Sequence, residues 1–143
     1  MKKRVFGRKL SRGRPAREAL FASIMRSMIL SGKITTTRAK AKAVQPDLEK
    51  LVTLAKKGDL AGERRILASL DNARDALTAL IKKVAPSFPG KTSGYTRLIS
   101  LPTRRGDNAK MVRIEWTEKI VENEKVKAKV KKDENVSTKR KRS

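Results

Sequence analysis

The chain has 143 residues and sets 37 lysines and arginines against 14 acids, a formal charge of +23, with no histidine and no cysteine. These counts exclude disulfides, thiolate nucleophiles and the usual zinc ligands, and they remove the commonest acid–base group near neutral pH. A soluble domain needs a net charge of only about 2 to 8, so the excess calls for a polyanion: nucleic acid, where each neutralised phosphate releases counterions, or an anionic membrane surface.

The first seventeen residues carry Lys2, Lys3, Arg4, Arg8, Lys9, Arg12, Arg14 and Arg17 without an acid. The start resembles a signal peptide, but no apolar core follows it. Residues 1–15 read as a basic arm on a backbone loosened by Gly7, Ser11 and Gly13. Guanidinium groups on such an arm bind phosphate bidentately and stack on exposed bases. A solvated tail that only aids solubility is the plainer reading of the same residues.

A globular region is expected over 16–117. Pro15 suits the first turn of a helix, Leu20, Ile24 and Met28 recur at spacing four with Phe21 and Met25 beside them, and Ser31-Gly32 closes the helix. Lys33 to Thr36 is an extended connector that can supply a third strand. A second helix is predicted from about Thr37 to Lys57, apolar along Val44, Leu48, Leu51, Val52 and Ala55, with a kink or break at Pro46.

Gly58 ends that helix, and Asp59 caps a shorter one with Leu60, Ile66, Leu67 and Leu70. Asp71 or Asn72 begins another, along Ala73, Ala76, Leu77, Leu80, Ile81 and Val84, until Pro86, Pro89 and Gly90 stop it. The period then changes to that of strands over Tyr95–Leu101 and Met111–Trp116, joined by a long basic hairpin loop. The fold class is therefore α+β: several helices packed against a short antiparallel sheet, with a basic N-terminal arm and a charged C-terminal tail. Residues 118–143 form a Lys/Glu-rich extension that cannot bury a core. No run reaches the ~20 apolar residues of a membrane-spanning helix.

Two further groups are candidate RNA contacts. Thr35, Thr36, Thr37, Arg38, Lys40 and Lys42 surround a helix N-terminus, whose free N–H groups and dipole attract anions. Capping alone would also explain Thr37. Arg97 with Arg104, Arg105 and Lys110 places clustered charge on the hairpin, where Gly106-Asp107 otherwise simply suits a turn. Tyr95 and Trp116 read as packing residues, and with aromatics at only 3% of the chain a base-stacking platform is not expected. The acids Glu18, Glu49, Glu63, Asp75 and Glu115 read as surface partners of nearby cations.

In order and spacing, several stretches resemble one family. They are Gly7-Arg8-Lys9-Leu10 with Arg12, Arg17 and Ala19-Leu20; then Ile34, Thr36-Thr37, Ala39-Lys40-Ala41-Lys42 and Glu49 through Lys56. The likeness returns at Gly94-Tyr95-Thr96-Arg97, Arg104-Arg105-Gly106-Asp107, Ala109, Met111 and Ile114-Glu115. This pattern is similar to that of the bacterial large-subunit ribosomal proteins numbered seventeen. The resemblance implies a non-enzymatic constituent of the cytoplasmic ribosome on the tunnel-exit side, partnered by large-subunit rRNA and neighbouring ribosomal proteins. No cofactor, metal, membrane or small-molecule substrate is expected. The competing readings are a DNA-binding architectural protein, which lacks a base-reading recognition helix, an RNA-modifying enzyme, which lacks a nucleophile or cofactor loop, and a membrane-surface protein, whose apolar helix face is diluted here by alanines and acids.

Overall fold

A computed structural model describes residues 7–120. Helix α1 (Arg14–Ser31) carries Pro15 in its first turn and ends at Gly32, whose φ of 75° lets its N–H donate back to the Met28 carbonyl at 2.9 Å. Its buried side is Ala22, Met25, Met28 and Ile29, while Leu20, Phe21 and Ile24 are only partly covered. The stripe expected along Leu20, Ile24 and Met28 is thus rotated, because the small Ala22 takes a central place that a search for large apolar side chains passes over.

Strand β1 (Lys33–Thr37) follows, confirming the connector as a strand, and Thr37 leads into α2 (Arg38–Lys57). The whole predicted face of α2 is buried, with Ala41 added. Pro46 neither ends nor breaks this helix. Pro46 removes the usual i+4 donor to the Lys42 carbonyl, and both residues lie at exposed positions. Helix α3 (Leu60–Ser69) starts at Asp59, whose carboxylate accepts from the Ala61 N–H at 3.3 Å. Leu60, expected in the core, is 62% exposed.

Neither Asp71 nor Asn72 starts α4 (Arg74–Ala79); its cap is Ala73. Asp71 and Asn72 instead form the preceding turn with φ of 54° and 58°, a left-handed conformation that their short polar side chains tolerate better than most. After α4 the chain widens into a π-turn at Leu80–Val84 and tightens into a 3₁₀ turn at Ala85–Ser87. Leu80, Val84 and Ala85 are buried along this stretch.

Strands β2 (Thr96–Ser100) and β3 (Met111–Trp116) form the expected antiparallel hairpin. The sheet order is β1-β3-β2, with Ile34 opposite Ile114 and Leu98 opposite the same residue on the other side. Val112, Ile114 and Trp116 alternate inward against α2. The helices lie on that face, as an α+β layer requires. Phe88 joins Tyr95 edge-on at 5.2 Å and Trp116 at 6.1 Å, so the aromatics are core packing, as expected.

The link between the layers is Glu49, which the sequence reading places at the surface. It turns inward and is half-buried: its carboxylate accepts the N–H groups of Tyr95 and Thr96, each at 3.1 Å, and the Thr96 hydroxyl at 2.9 Å. Lys56 reaches the Lys91 carbonyl from the same helix, and Gln45 donates to Thr96 at 3.3 Å. Bonds to a charged acceptor contribute about 1.5–3 kcal/mol each, and abandoned buried donors cost about 1–3 kcal/mol. Glu49→Ala is expected to destabilise the domain by about 2–4 kcal/mol in urea unfolding. Glu49→Gln, which keeps an acceptor, should lose clearly less. Equal stability of wild type and Glu49→Ala would mean that this link holds nothing.

Candidate nucleic-acid interface

Three segments far apart in sequence meet at one end of the sheet. Arg8 comes from the arm, Thr37, Arg38, Ala39 and Lys42 from the first turns of α2, and Ala109 and Lys110 from the hairpin; together they line a cleft of about 410 Å³. The backbone fixes this meeting. Thr37 pairs with Met111 in the sheet, and the Arg38 N–H donates to the Lys110 carbonyl at 2.9 Å. One N–H of the α2 N-terminus is therefore already satisfied by the hairpin. The Thr37 side chain makes no capping hydrogen bond, so capping does not account for that residue. Four cations and no acid line the cleft, an arrangement suited to a phosphodiester.

Other candidates are placed differently. Lys40 is half-buried on α2 outside the cleft lining. Alternation along β1 sends Thr35 to the outer sheet face and Thr36 to the helix-covered face opposite Val112, so the three threonines do not act as one group. Along the arm, the Arg12 N–H donates to the Lys9 carbonyl at 3.1 Å, and the intervening Leu10 and Ser11 both have φ of 53°. This is a defined tight turn that presents Lys9 and Arg12 as exposed side chains. Arg14 pairs with Glu18 at 2.8 Å, and Arg17 is half-buried on α1. Lys2, Lys3 and Arg4 lie outside the described residues, as does the chain beyond residue 120.

On the outer sheet face Arg97 donates from Nε to Glu115 at 2.6 Å, and Arg113 Nε approaches the other oxygen of Glu115 at 3.1 Å. Glu18 and Glu115 thus partner cations as expected. Glu63 and Asp75 instead sit in the first turns of α3 and α4, where a negative charge complements the helix dipole. Lys33 and Arg113 join Arg97 and Thr35 on this face, and the sequence reading missed both. Period-two alternation through Lys33, Thr35 and Thr37 carried the signal, but the pairing of β1 with β3 was needed to use it.

The hairpin tip is not a loose loop. Arg104 grips Asp107 through two donors, and Asp107 also accepts the Ala109 N–H at 3.2 Å. Arg105 beside it is exposed and makes no ion pair among the described residues. The hydrogen bond from Arg104, followed by that from Ala109, holds the Asp107 carboxyl at about 2, below its ordinary 3.8. A depressed carboxyl favours the folded clasp above 3.8 and loses that contribution as pH falls through about 2. The Asp107 carboxyl ¹³C shift should therefore titrate with a midpoint near 2, moving toward 3.8 in Arg104→Ala. An unshifted midpoint in the wild type would show that the clasp does not form in solution.

Among the described residues there is no cluster of metal-ligating side chains, and no helix is long and apolar enough to cross a membrane. Fold and charge together define a small cationic α+β protein with an acid-free cleft at one end of its sheet. Residues 20–117 match the family model for ribosomal protein L17. The chain is 44% identical over 119 residues to a large ribosomal subunit protein bL17 from Hydrogenobaculum sp. (strain Y04AAS1), covering 82% of this chain and 100% of that relative. It is 45% identical to the bL17 of Persephonella marina (82% and 96% covered) and 42% identical to that of Methylacidiphilum infernorum (84% and 91% covered). The chain belongs to the ribosomal protein L17 family.

Proposed function

We propose that this protein is a structural constituent of the bacterial large ribosomal subunit that binds and stabilises large-subunit rRNA. The family is one of structural ribosomal components, so the chain is not an enzyme, and its place is the cytoplasmic ribosome. The observation that carries the RNA reading is the acid-free cleft, where Arg8, Arg38, Lys42 and Lys110 converge from three segments. In this reading a backbone phosphate sits against the α2 N-terminus, Thr37 donates its hydroxyl, and the four cations displace counterions.

Around that anchor, the arm of residues 1–15, with Lys2, Lys3, Arg4, Lys9, Arg12 and Arg14, follows the RNA beyond the body. Arg17, Thr35, Thr36, Lys40, Arg97, Arg104 and Arg105 are the remaining contacts we assign. Within the body of residues 16–117 the cleft carries the assignment. No role is assigned to the extension, 118–143.

Recognition of this kind reads folded RNA by shape and phosphate spacing, since Phe88, Tyr95 and Trp116 are committed to the core. The test is RNA affinity as a function of salt. Neutralising Arg8, Arg38, Lys42 and Lys110 together should flatten the dependence of log K on log salt by about 1 per cation. The same variant should leave the large subunit in a moderate-salt wash that the wild type survives. An unchanged slope and unchanged retention would remove the cleft from the RNA interface.

A further inference from the structure

The outer face of the sheet carries a carboxylate at its centre, where a surface for anions would do better without one. Glu115 stands on the middle strand β3, opposite Lys33 of β1 on one side and Arg97 of β2 on the other. Arg97 donates to one of its oxygens from Nε at 2.6 Å and pairs with it through Nη2; Arg113 Nε lies 3.1 Å from the other oxygen. The acid is the covered member of this trio: its side chain is 16% exposed, against 59% for Arg97 and 39% for Arg113. What faces outward is guanidinium. No hydrogen bond or ion pair among the described residues takes up Nη1 of Arg97, either Nη of Arg113, or the Lys33 ammonium.

We propose that Glu115 is a positioning residue for RNA: it holds Arg97 and Arg113 together as a paired guanidinium clamp for a backbone phosphate. The proposal rests on the RNA reading above and adds to it a second contact surface, on the open face of the sheet. Lys33, Thr35, Arg97 and Arg113 make up that surface. Two arginines on neighbouring strands repel each other and splay when nothing lies between them. A carboxylate shared by both offsets that repulsion and fixes the two forks before a ligand arrives. Local charge stays positive, because three cations surround one acid. Thr35, exposed and opposite Arg113, adds a hydroxyl. The surface is continuous with the cleft. Lys33 and Thr37 are the two ends of β1, about 13 Å apart at the rise of a strand. One RNA strand can therefore run from the α2 N-terminus across the sheet.

The sign of a single substitution tests this. An acid that merely sat beside RNA would weaken binding, so removing its charge would tighten it. As a positioning residue, Glu115→Gln should instead weaken the full chain's affinity for a transcript of large-subunit rRNA about fivefold. In Arg97→Gln/Arg113→Gln, where nothing is left to position, the further change Glu115→Gln should leave affinity unchanged or raise it. Affinity equal to or above wild type in Glu115→Gln alone would overturn the proposal. So would equal weakening in both backgrounds, which marks a role in the fold only. A second measurement needs no variant. When a short RNA duplex is added until the Arg38 amide resonance has shifted, the Nε–H resonances of Arg97 and Arg113 should shift together. Resonances that stay in place would overturn the clamp. A wild-type chain that binds neither RNA would instead overturn the RNA reading itself.

Discussion

Everything that faces outward in this protein depends on how α2 is fastened to the sheet. The helix buries Ala41, Val44, Leu48, Leu51, Val52 and Ala55, but apolar contact is not directional and leaves rotation and sliding cheap. The Glu49 carboxylate supplies direction by accepting two successive backbone donors and a hydroxyl at the entry to β2. A charged group held away from bulk water must have such partners, and Glu49 finds them in one register of helix against strand. With that register set, the N-terminus of α2 reaches the hairpin, and the Arg38 N–H meets the Lys110 carbonyl. The cationic cleft is the far end of the same alignment.

Two groups of cations contrast. Arg14, Arg97 and Arg104 hold acids of this chain, at Glu18, Glu115 and Asp107. Exposed pairs of this sort contribute little to stability; their effect is to restrict where a guanidinium points. Arg8, Arg38, Lys42 and Lys110 have no acid among the groups lining their cleft. Their full positive charges have no counterpart in the lining. Among the described residues, the acids that form no ion pair and do not hold the sheet, Asp59, Glu63, Asp71 and Asp75, all lie in or beside the short helices α3 and α4.

Much of this was legible in the sequence. Strand β3 ran from Met111 to Trp116 because alternation over six residues is strong and its ends are punctuated. Helix α2 was readable because its apolar face holds large residues at regular spacing. Three things were not legible, each for a physical reason. The burial of Ala22 and the exposure of Leu60 follow from where neighbouring helices lie, which no local pattern encodes. Asp71 and Asn72 can cap a helix or adopt the left-handed turn, and tertiary placement decided for the turn. Glu49 looked like any surface acid on a basic helix, because its partners are backbone groups some 46 residues away. The same blindness separated Arg8, Arg38 and Lys110 into three candidate sites, which the fold joins into one cleft.

That separation bears on how the protein is stabilised. The cleft does not exist in the unfolded chain, where its cations are spread over a hundred residues; folding gathers like charges and is opposed by their repulsion. Links such as the Glu49 carboxylate and the aromatic cluster of Phe88, Tyr95 and Trp116 offset that repulsion from inside. A polyanion offsets it from outside, since a ligand that binds the folded cleft better than the dispersed cations shifts the equilibrium toward the fold. On the proposed reading the charge that makes the isolated domain less stable is thus the charge that couples its folding to the RNA, and the internal links need only hold the register until that partner is bound.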